Sequence, residues 1–176
     1  QGAELHAQGL EAQCELALRR VPTLVLTQMR GVPVSQEVVG ELTSKYEHKI
    51  ENLEREIAAL DVVKKYERTR GKYKPLAPEQ ALEIFHKMLG RKECEVYDKY
   101  SKTTKLSAKE SVLALIDHPL AKLTLELREV SKLYSTYAKP FKAPSPIIYP
   151  DGLLHPSFNT MFAETGRLSC DSPNLQ

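Results

Sequence analysis

Apolar residues recur at helical spacing through the first half of the chain and predict one long helix. Between Gln36 and Leu60 they are three or four positions apart throughout, which places them on a single narrow stripe. Ser35 directly precedes this stretch and is a favourable N-cap residue. A stripe this narrow predicts a second long helix as its packing partner. The stripe consists of Val39, Leu42, Tyr46, Ile50, Leu53, Ile57 and Leu60.

A second stripe of the same kind lies nearer the other end of the chain. It predicts a helix that runs to about Ala138 and stops before Pro140. Either Asp117 or His118 can cap this helix, and Pro119 suits its first turn. The two long helices therefore predict an antiparallel pair, with the residues between them at one tip. The second stripe consists of Leu120, Leu123, Leu127, Val130, Tyr134 and Tyr137.

The other helical segments are shorter or interrupted. Residues Glu4 to Met29 predict a helix that Pro22 kinks or divides in two. Within the tip, one short helix ends at Gly90 and another covers Ser107 to Ile116. The polar stretch Arg91 to Lys105 between them predicts a loop.

Beyond the second long helix the pattern changes from helical to extended. Ile147 to Tyr149 predicts a strand, Asp151-Gly152 a hairpin turn, and Leu153 to Phe162 the returning strand. The predicted fold class is mainly α, with a long antiparallel helical hairpin and a small helical tip, followed by a β-hairpin. The prolines that mark the change are Pro140, Pro144, Pro146 and Pro150.

Composition narrows the class of protein without identifying it. The 176 residues are 41% hydrophobic and 27% charged, which is typical of a globular chain of one domain, or of one domain and part of another. No stretch approaches the roughly 20 apolar residues that a membrane-spanning helix needs, and no signal peptide is evident. We expect no membrane partner.

The net charge of +2 conceals an uneven distribution. Residues 62–105 carry twelve basic and six acidic side chains, whereas residues 1–61 carry six and ten. The most strongly basic stretch contains only one acid, Glu67, and its several cations could bind a phosphate backbone. A solvated surface without a partner is the alternative interpretation. The run consists of Lys64, Lys65, Arg68, Arg70, Lys72 and Lys74.

Cysteine and histidine give no sign of a metal site or of a disulfide framework. Cys14, Cys94 and Cys170 are few and far apart, which favours reduced thiols in an intracellular protein. The five histidines show no metal-ligand spacing. We therefore expect no metal ligand among the cysteines and histidines.

The last residues carry the most specific motif. Thr165-Gly166-Arg167-Leu168-Ser169, followed by Pro173-Asn174-Leu175-Gln176, closely resembles the start of the palm in family A DNA polymerases, T-G-R-L-S-S-x-x-P-N-L-Q. Upstream, Asp151 to His155 resembles the D-G-R-I-H motif of that family, and Leu127 to Tyr137 resembles its Y-R-x-L-x-K-L-x-S-T-Y helix. His118-Pro119-Leu120 and Arg30 to Val34 also match family motifs, in the family's order.

The resemblance implies a division into three parts. Residues 36–139 would form the thumb with its basic tip at 62–105, after an N-terminal helix and turn at 1–35. Residues 140–176 would form the incomplete start of the palm. The implied function is the DNA-binding portion of a DNA-directed DNA polymerase, which grips the primer-template duplex in the minor groove during DNA synthesis.

The resemblance also implies residue roles. Arg167 would reach the minor-groove side of the primer-terminal base pair, and Asn174 and Gln176 would make similar contacts, where every Watson–Crick pair offers acceptors. An ion pair within its helix is the alternative for Arg128, and a helix-end cap is the alternative for Thr136. The implied contacts to backbone phosphates are Arg128, Lys132, Ser135, Thr136 and, near the tip, Ser107.

This sequence departs from the family pattern at three places. Tyr134 stands where many members have a second lysine, so one phosphate-binding charge is missing. Cys170-Asp171-Ser172 replaces the usual serine-rich arrangement, and residues 62–105 match poorly.

Catalysis in this family needs Mg²⁺ held by palm aspartates and a fingers helix for the incoming nucleotide. Neither is present in this chain, so we expect it to bind DNA but not to polymerise alone. The resemblance thus implies one chain of a split polymerase or a truncated polymerase. Its implied partners are primer-template DNA, deoxynucleoside triphosphates and a second polypeptide with the remaining palm and fingers. The implied location is intracellular, in the cytoplasm or nucleoid, or in the host cytoplasm for a phage protein. The alternative from the helical hairpin alone is a non-enzymatic adaptor that binds nucleic acid or protein.

Overall fold

In a computed structural model the chain is mainly helical, as the sequence predicts. The structure describes residues 9, 11–98, 102–160 and 167–175. It divides into two compact units, residues 1–39 with 140–176 and residues 40–139. Helices carry most of the described residues, and the strands form small antiparallel pairs. The predicted fold class is thereby confirmed.

The helices are α1 (Glu11–Arg30), α2 (Gln36–Ala59), α3 (Asp61–Arg70), α4 (Pro78–Leu82), α5 (Glu110–Leu113) and α6 (Pro119–Leu133). π-helical turns continue α4 at Glu83–Met88 and α6 at Tyr134–Ala138, and 3₁₀ turns lie at Lys92–Cys94 and Lys139–Phe141. The strands are β1 (Val32–Pro33), β2 (Glu95–Asp98), β3 (Thr103–Leu106), β4 (Leu153–Leu154), β5 (Ser157–Asn159) and β6 (Ser169–Asp171). The pairs β1–β4, β2–β3 and β5–β6 are all antiparallel.

Two side-chain contacts fix the direction of the long helices in the second unit. The Tyr134 hydroxyl donates a hydrogen bond to Glu47 Oε1 over 2.8 Å. Lys49 Nζ lies 2.8 Å from Glu126 Oε1. Because the partner on the second helix moves to lower numbers as α2 advances, the two helices run antiparallel.

The caps that the sequence predicts are present. His118 Nδ1 accepts a hydrogen bond from the Leu120 N–H over 3.1 Å, with Pro119 in the first turn of α6. Burial, followed by the charge of Arg91, lowers the pKa of His118, so the neutral ring keeps this acceptor at neutral pH. At the start of α2, Ser35 Oγ accepts from the Val38 N–H over 3.4 Å.

A continuous hydrophobic cluster, here named the tip core, joins the far ends of α2 and α6 to the short elements between them. Most of its side chains come from the residues between the long helices rather than from the helices themselves. The predicted second long helix is present as α6, and the α2 stripe also packs against these short elements. The largest fully buried members are Phe85, Ile57, Ile84, Leu113, Leu120 and Leu127.

The buried row of α2 also departs from the predicted stripe. Leu42 is 38% exposed, whereas the next residue, Thr43, is 1% exposed. On α6, Thr124 is likewise fully buried, while Leu123 is only half-buried. The stripes were predicted from hydrophobic residues alone. They therefore omitted one buried threonine on each helix, Thr43 on α2 and Thr124 on α6.

The polar stretch of the tip forms a β-ribbon instead of the predicted loop. β2 pairs with β3 in a register that sets Glu95 opposite Leu106 and Asp98 opposite Thr103. Lys105 Nζ contacts Asp98 Oδ2 at 2.7 Å. Both faces of the ribbon are largely exposed, so the sequence lacks the apolar alternation by which a half-buried strand is recognised.

In the first unit, two short strands distant in sequence come together. Val32 of β1 pairs with Leu154 of β4. Gly31 precedes β1 at a φ of +73°, and a Cβ there would lie 2.8 Å from His155 Cε1. Only glycine accommodates both this backbone conformation and this close approach.

The predicted hairpin after the prolines takes a different form. Residues Ile147 to Tyr149 form a turn rather than a strand, although the Tyr149 N–H donates to the Leu153 carbonyl over 2.9 Å. β4 pairs with β1 instead, and β5 pairs with β6, with Phe158 opposite Cys170. Prolines at positions 146 and 150 remove backbone donors on both sides of the predicted strand.

Replacement of Leu127 by alanine tests the tip core. Leu127 is fully buried in this cluster, so we expect a decrease of about 3 kcal/mol in the free energy of unfolding. Leu115, 70% exposed, is the matched control, and its alanine variant is expected to stay within about 0.5 kcal/mol of the parent chain. Denaturant unfolding followed by circular dichroism measures both values. Equal decreases in the two variants would contradict the assigned core.

His155 bridges α1 and the turn before β4. Its Nδ1 lies 2.7 Å from the Gln28 carbonyl oxygen, and its Nε2 lies 2.9 Å from Asp151 Oδ2. Both partners are acceptors, so both ring nitrogens donate only when the imidazole is protonated. The Gln28 carbonyl and then Asp151 raise the pKa of His155. The His155 hydrogen bond and then the Leu153 N–H lower the pKa of Asp151.

Because of this bridge, we expect the free energy of unfolding to decrease both as pH rises through the folded pKa of His155 and as pH falls through that of Asp151. The His155 contribution is complete below the unfolded pKa of histidine and is lost as pH rises through the raised folded value. The Asp151 contribution is complete above the unfolded pKa of aspartate and is lost as pH falls through the lowered folded value. We expect His155→Gln to remove the alkaline decline between about pH 6 and 8. The melting temperature of the variant and of the parent chain, measured across this pH range, tests the prediction. An unchanged alkaline decline in the variant would contradict the bridge.

Candidate nucleic-acid interface

The basic run of the tip lies on α3 and the segment after it. The first turns of this helix direct Val63 and Tyr66 into the tip core, which leaves the charged positions outside. Gly71, at a φ of +90°, ends the helix. All six predicted phosphate contacts of this run are exposed: Lys64, Lys65, Arg68, Arg70, Lys72 and Lys74.

Two backbone hydrogen bonds hold the segment that follows α3. The Tyr73 N–H donates to Glu67 Oε1 over 3.0 Å, and the Lys74 N–H donates to Gln80 Oε1 over 2.7 Å. The Tyr73 side chain is buried, and its ring packs edge-on against Tyr66. Lys72 and Lys74 thus flank an anchored residue, so their backbone positions are fixed.

One face of α6 carries several of the predicted phosphate contacts. Arg128, Lys132 and Ser135 are four and three positions apart, so the helix aligns them along one side. Ser135 is exposed, and its hydroxyl donates to the Lys132 carbonyl over 3.1 Å. Ser135 and Thr136 both lie on the π-helical turn that continues α6, and Thr136 is exposed.

These residues line two adjoining open grooves, here together named the α6 groove. Arg128, Lys132 and Ser135 line the first. Ser107 lines the second, together with Lys109 and Ser111. Pro78, Glu110 and Arg128 belong to both. The structure thus brings Ser107 beside the α6 residues, although it is more than twenty positions away in sequence. Cations and hydroxyls from several segments line this groove beside apolar side chains and the acid Glu110. The cations and hydroxyls are groups that suit phosphate oxygens.

Arg128 has an intramolecular partner that neither interpretation of the sequence included. Its Nη1 donates to the Ala108 carbonyl over 2.6 Å. Among the described residues no ion pair joins its guanidinium to a carboxylate. Its Nη2 is buried and has no hydrogen-bond partner in that part of the chain.

Tyr134 stands where the family pattern has a lysine, and the structure gives it another role. Its hydroxyl donates to Glu47, which raises the pKa of Tyr134. The substitution replaces a cation by a hydrogen bond between α6 and α2.

The C-terminal motif lies in the first unit. Arg167 is exposed two residues before β6, whose central residue Cys170 is buried. Asp171 Oδ1 accepts from the Ser172 N–H over 2.8 Å, and Asn174 is exposed beyond this turn. The prediction for Gln176 lies outside the described residues, as does that part of the motif formed by residues 165 and 166.

Sequence reasoning missed several residues of the α6 groove. Ser131 follows Arg128 by three positions and shares its groove; the helical spacing contained this signal. Lys109 and Ser111 follow Ser107 closely and line the adjoining part. No comparable signal pointed to Ala108, because its carbonyl, not its side chain, makes the contact with Arg128.

The described residues form neither a metal site nor a membrane span. In the parts of the chain that the structure describes, no three His, Cys, Asp or Glu side chains are grouped so that they could hold a metal ion. None of the described helices combines the length and apolar character needed to cross a bilayer.

The chain belongs to DNA polymerase family A, whose family model matches residues 36–176. DNA polymerase I of Lactococcus lactis subsp. cremoris is 30% identical over 98% of the chain. The thermostable DNA polymerase I of Thermus aquaticus is 42% identical over 44% of it. This chain spans only 18% of the length of the first relative and 9% of the second.

A solved structure shares the fold. It is the polymerase domain of Pol1 from M. smegmatis, in complex with DNA primer-template and dNTP, and it matches with a TM-score of 0.65. The match covers 92% of this chain and 26% of that one at 23% identity.

Proposed function

We propose that this chain is the duplex-binding portion of a family A DNA-directed DNA polymerase. Residues 36–139 act as the thumb with its basic tip at 62–105, after residues 1–35, and residues 140–176 begin the palm. The observation that carries the proposal is the α6 groove, in which hydroxyls and cations from separate segments meet inside the family match. The related M. smegmatis polymerase domain, which binds primer-template DNA, supports the same partner.

The thumb contributes contacts that position the duplex without reading its sequence. Lys132, Ser135, Thr136 and Ser107 contact backbone phosphates, and Arg128 belongs to the same groove. The cations of the basic run add further phosphate contacts, and each releases counterions when it binds. Contacts of this kind suit an enzyme that must hold any sequence.

The palm residues test base-pair geometry. Arg167, Asn174 and Gln176 donate to acceptors in the minor groove, which occupy equivalent places in every Watson–Crick pair. Donors at these positions favour a correctly formed primer terminus whatever its sequence.

Residues outside these 176 complete the enzyme. They supply the carboxylates that hold Mg²⁺ and the fingers that bind deoxynucleoside triphosphates, and a second polypeptide is the source that we propose. The chain alone then binds duplex DNA and does not polymerise. Its intracellular location follows from the DNA partner. A monodisperse chain that ignores duplex DNA at low salt would favour the adaptor function instead.

Two variants separate the proposed roles. Lys65, Arg68 and Lys72 changed together to glutamine should lower the salt slope of duplex binding by about 0.9 for each phosphate interaction that the substitutions remove. Arg167→Ala should leave that slope nearly unchanged and reduce nucleotide incorporation or fidelity in the completed polymerase. Fluorescence anisotropy over a salt series measures binding, and primer extension measures incorporation.

The matched control changes three exposed cations that are not among the proposed DNA contacts. They are Arg19, Lys45 and Lys122. We expect their glutamine variants to keep most of the parent slope. Equal changes of slope in the two triple variants would contradict the role of the basic run. Equal effects of Arg167→Ala and of the basic-run variant on both assays would contradict the division of roles.

A further inference from the structure

We propose that Arg128 is a positioning residue, which holds the Ser107–Lys109 segment in its DNA-binding shape and does not itself contact a phosphate. The inference rests on the proposed DNA-binding function of the α6 groove. It assigns Arg128 a role different from the direct phosphate contact that the resemblance implies.

Both terminal nitrogens of the guanidinium face the protein. Nη1 donates to the Ala108 carbonyl over 2.6 Å, and Ala108 is 6% exposed. Nη2 is buried and has no hydrogen-bond partner among the described residues. A nitrogen buried in this way cannot reach a phosphate oxygen outside the protein unless the contact with Ala108 is given up.

A second segment of the tip also approaches the guanidinium. Burial raises the pKa of Tyr73 to about 12, and the nearby Thr124 hydroxyl and Arg128 charge act against that rise. The Tyr73 and Thr124 hydroxyls are both buried. The half-buried Arg128 side chain thus has its charge near the buried Tyr73 hydroxyl, in addition to its contact with Ala108.

Ser107 directly precedes Ala108, whose carbonyl accepts the hydrogen bond from Arg128. Its N–H donates to the Cys94 carbonyl over 2.8 Å, and its Oγ accepts from the Lys109 N–H over 3.3 Å. The hydroxyl proton of Ser107 is not used in either bond, so it can be donated to a phosphate oxygen. The Cys94 carbonyl binds the Ser107 N–H, and Arg128 binds the carbonyl of the next residue, Ala108. These two hydrogen bonds keep the Ser107 hydroxyl at the groove.

The two possible roles of Arg128 differ in their dependence on salt. A cation that contacts a phosphate releases counterions, so its removal lowers the salt slope by about 0.9. A neutral serine releases none. If Arg128 acts through Ser107, its removal weakens binding by a similar factor at every salt concentration.

The test is a double-mutant cycle on primer-template duplex binding by the chain. Ser107→Ala should weaken binding by about threefold in the parent chain and have almost no effect in the Arg128→Ala background. Arg128→Ala should change the salt slope by less than half as much as Lys132→Ala does. The control cycle pairs Ser107→Ala with Lys132→Ala, and there the two effects should add.

Additive effects of Ser107→Ala and Arg128→Ala, or a slope change as large as that of Lys132→Ala, would overturn the inference and leave the DNA-binding function intact. Absence of duplex binding by the parent chain would instead contradict the proposed function. Melting curves establish that each variant is folded. If Arg128→Ala is unfolded, Arg128→Lys replaces it, because a lysine keeps the charge but lacks the second nitrogen. A diminished effect of Ser107→Ala in the Arg128→Lys background supports positioning, and full affinity together with an undiminished Ser107→Ala effect contradicts it.

Discussion

The tip core is the constraint on which the second unit depends. Both long helices, α2 and α6, contribute side chains to this core, and another element packs against both. Here that element is the set of short segments around Phe85 and Leu113, both fully buried. The basic run, Ser107 and the start of α6 are all attached to this core. A loss of packing in the core would therefore displace every proposed phosphate contact of the tip.

The second unit contains a few buried polar groups for which the described residues provide no hydrogen-bond partner. The hydroxyls of Thr43, Tyr73 and Thr124 and Nη2 of Arg128 are of this kind among the described residues. Each costs about 1–3 kcal/mol relative to a hydrogen-bonded group. Such groups call for an explanation beyond stability. Around Arg128 the explanation that we propose is positional, because the guanidinium joins segments that are distant in the sequence.

The sequence was most informative where structure is local. The long helices and the His118 cap follow from residue spacing and residue type within one turn or two. The pairing of the strands and the β2–β3 ribbon were missed for the opposite reason, although β4 and β5 lie within the predicted Leu153 to Phe162 strand. β1 and β4 are two residues each and more than a hundred positions apart, and β2 and β3 have no buried face. The α6 face was predictable because helical spacing aligns it, whereas the Ala108 contact required the folded chain.

The central claim is that the tip core presents the α6 groove to duplex DNA. Backbone amide hydrogen exchange of the chain, with and without a primer-template duplex, tests this claim most directly. We predict slower exchange in residues 107–113 and 131–138 when the duplex is bound, and unchanged exchange along α1. Protection confined to α1, or unchanged exchange at the groove under conditions of saturated binding, would contradict it.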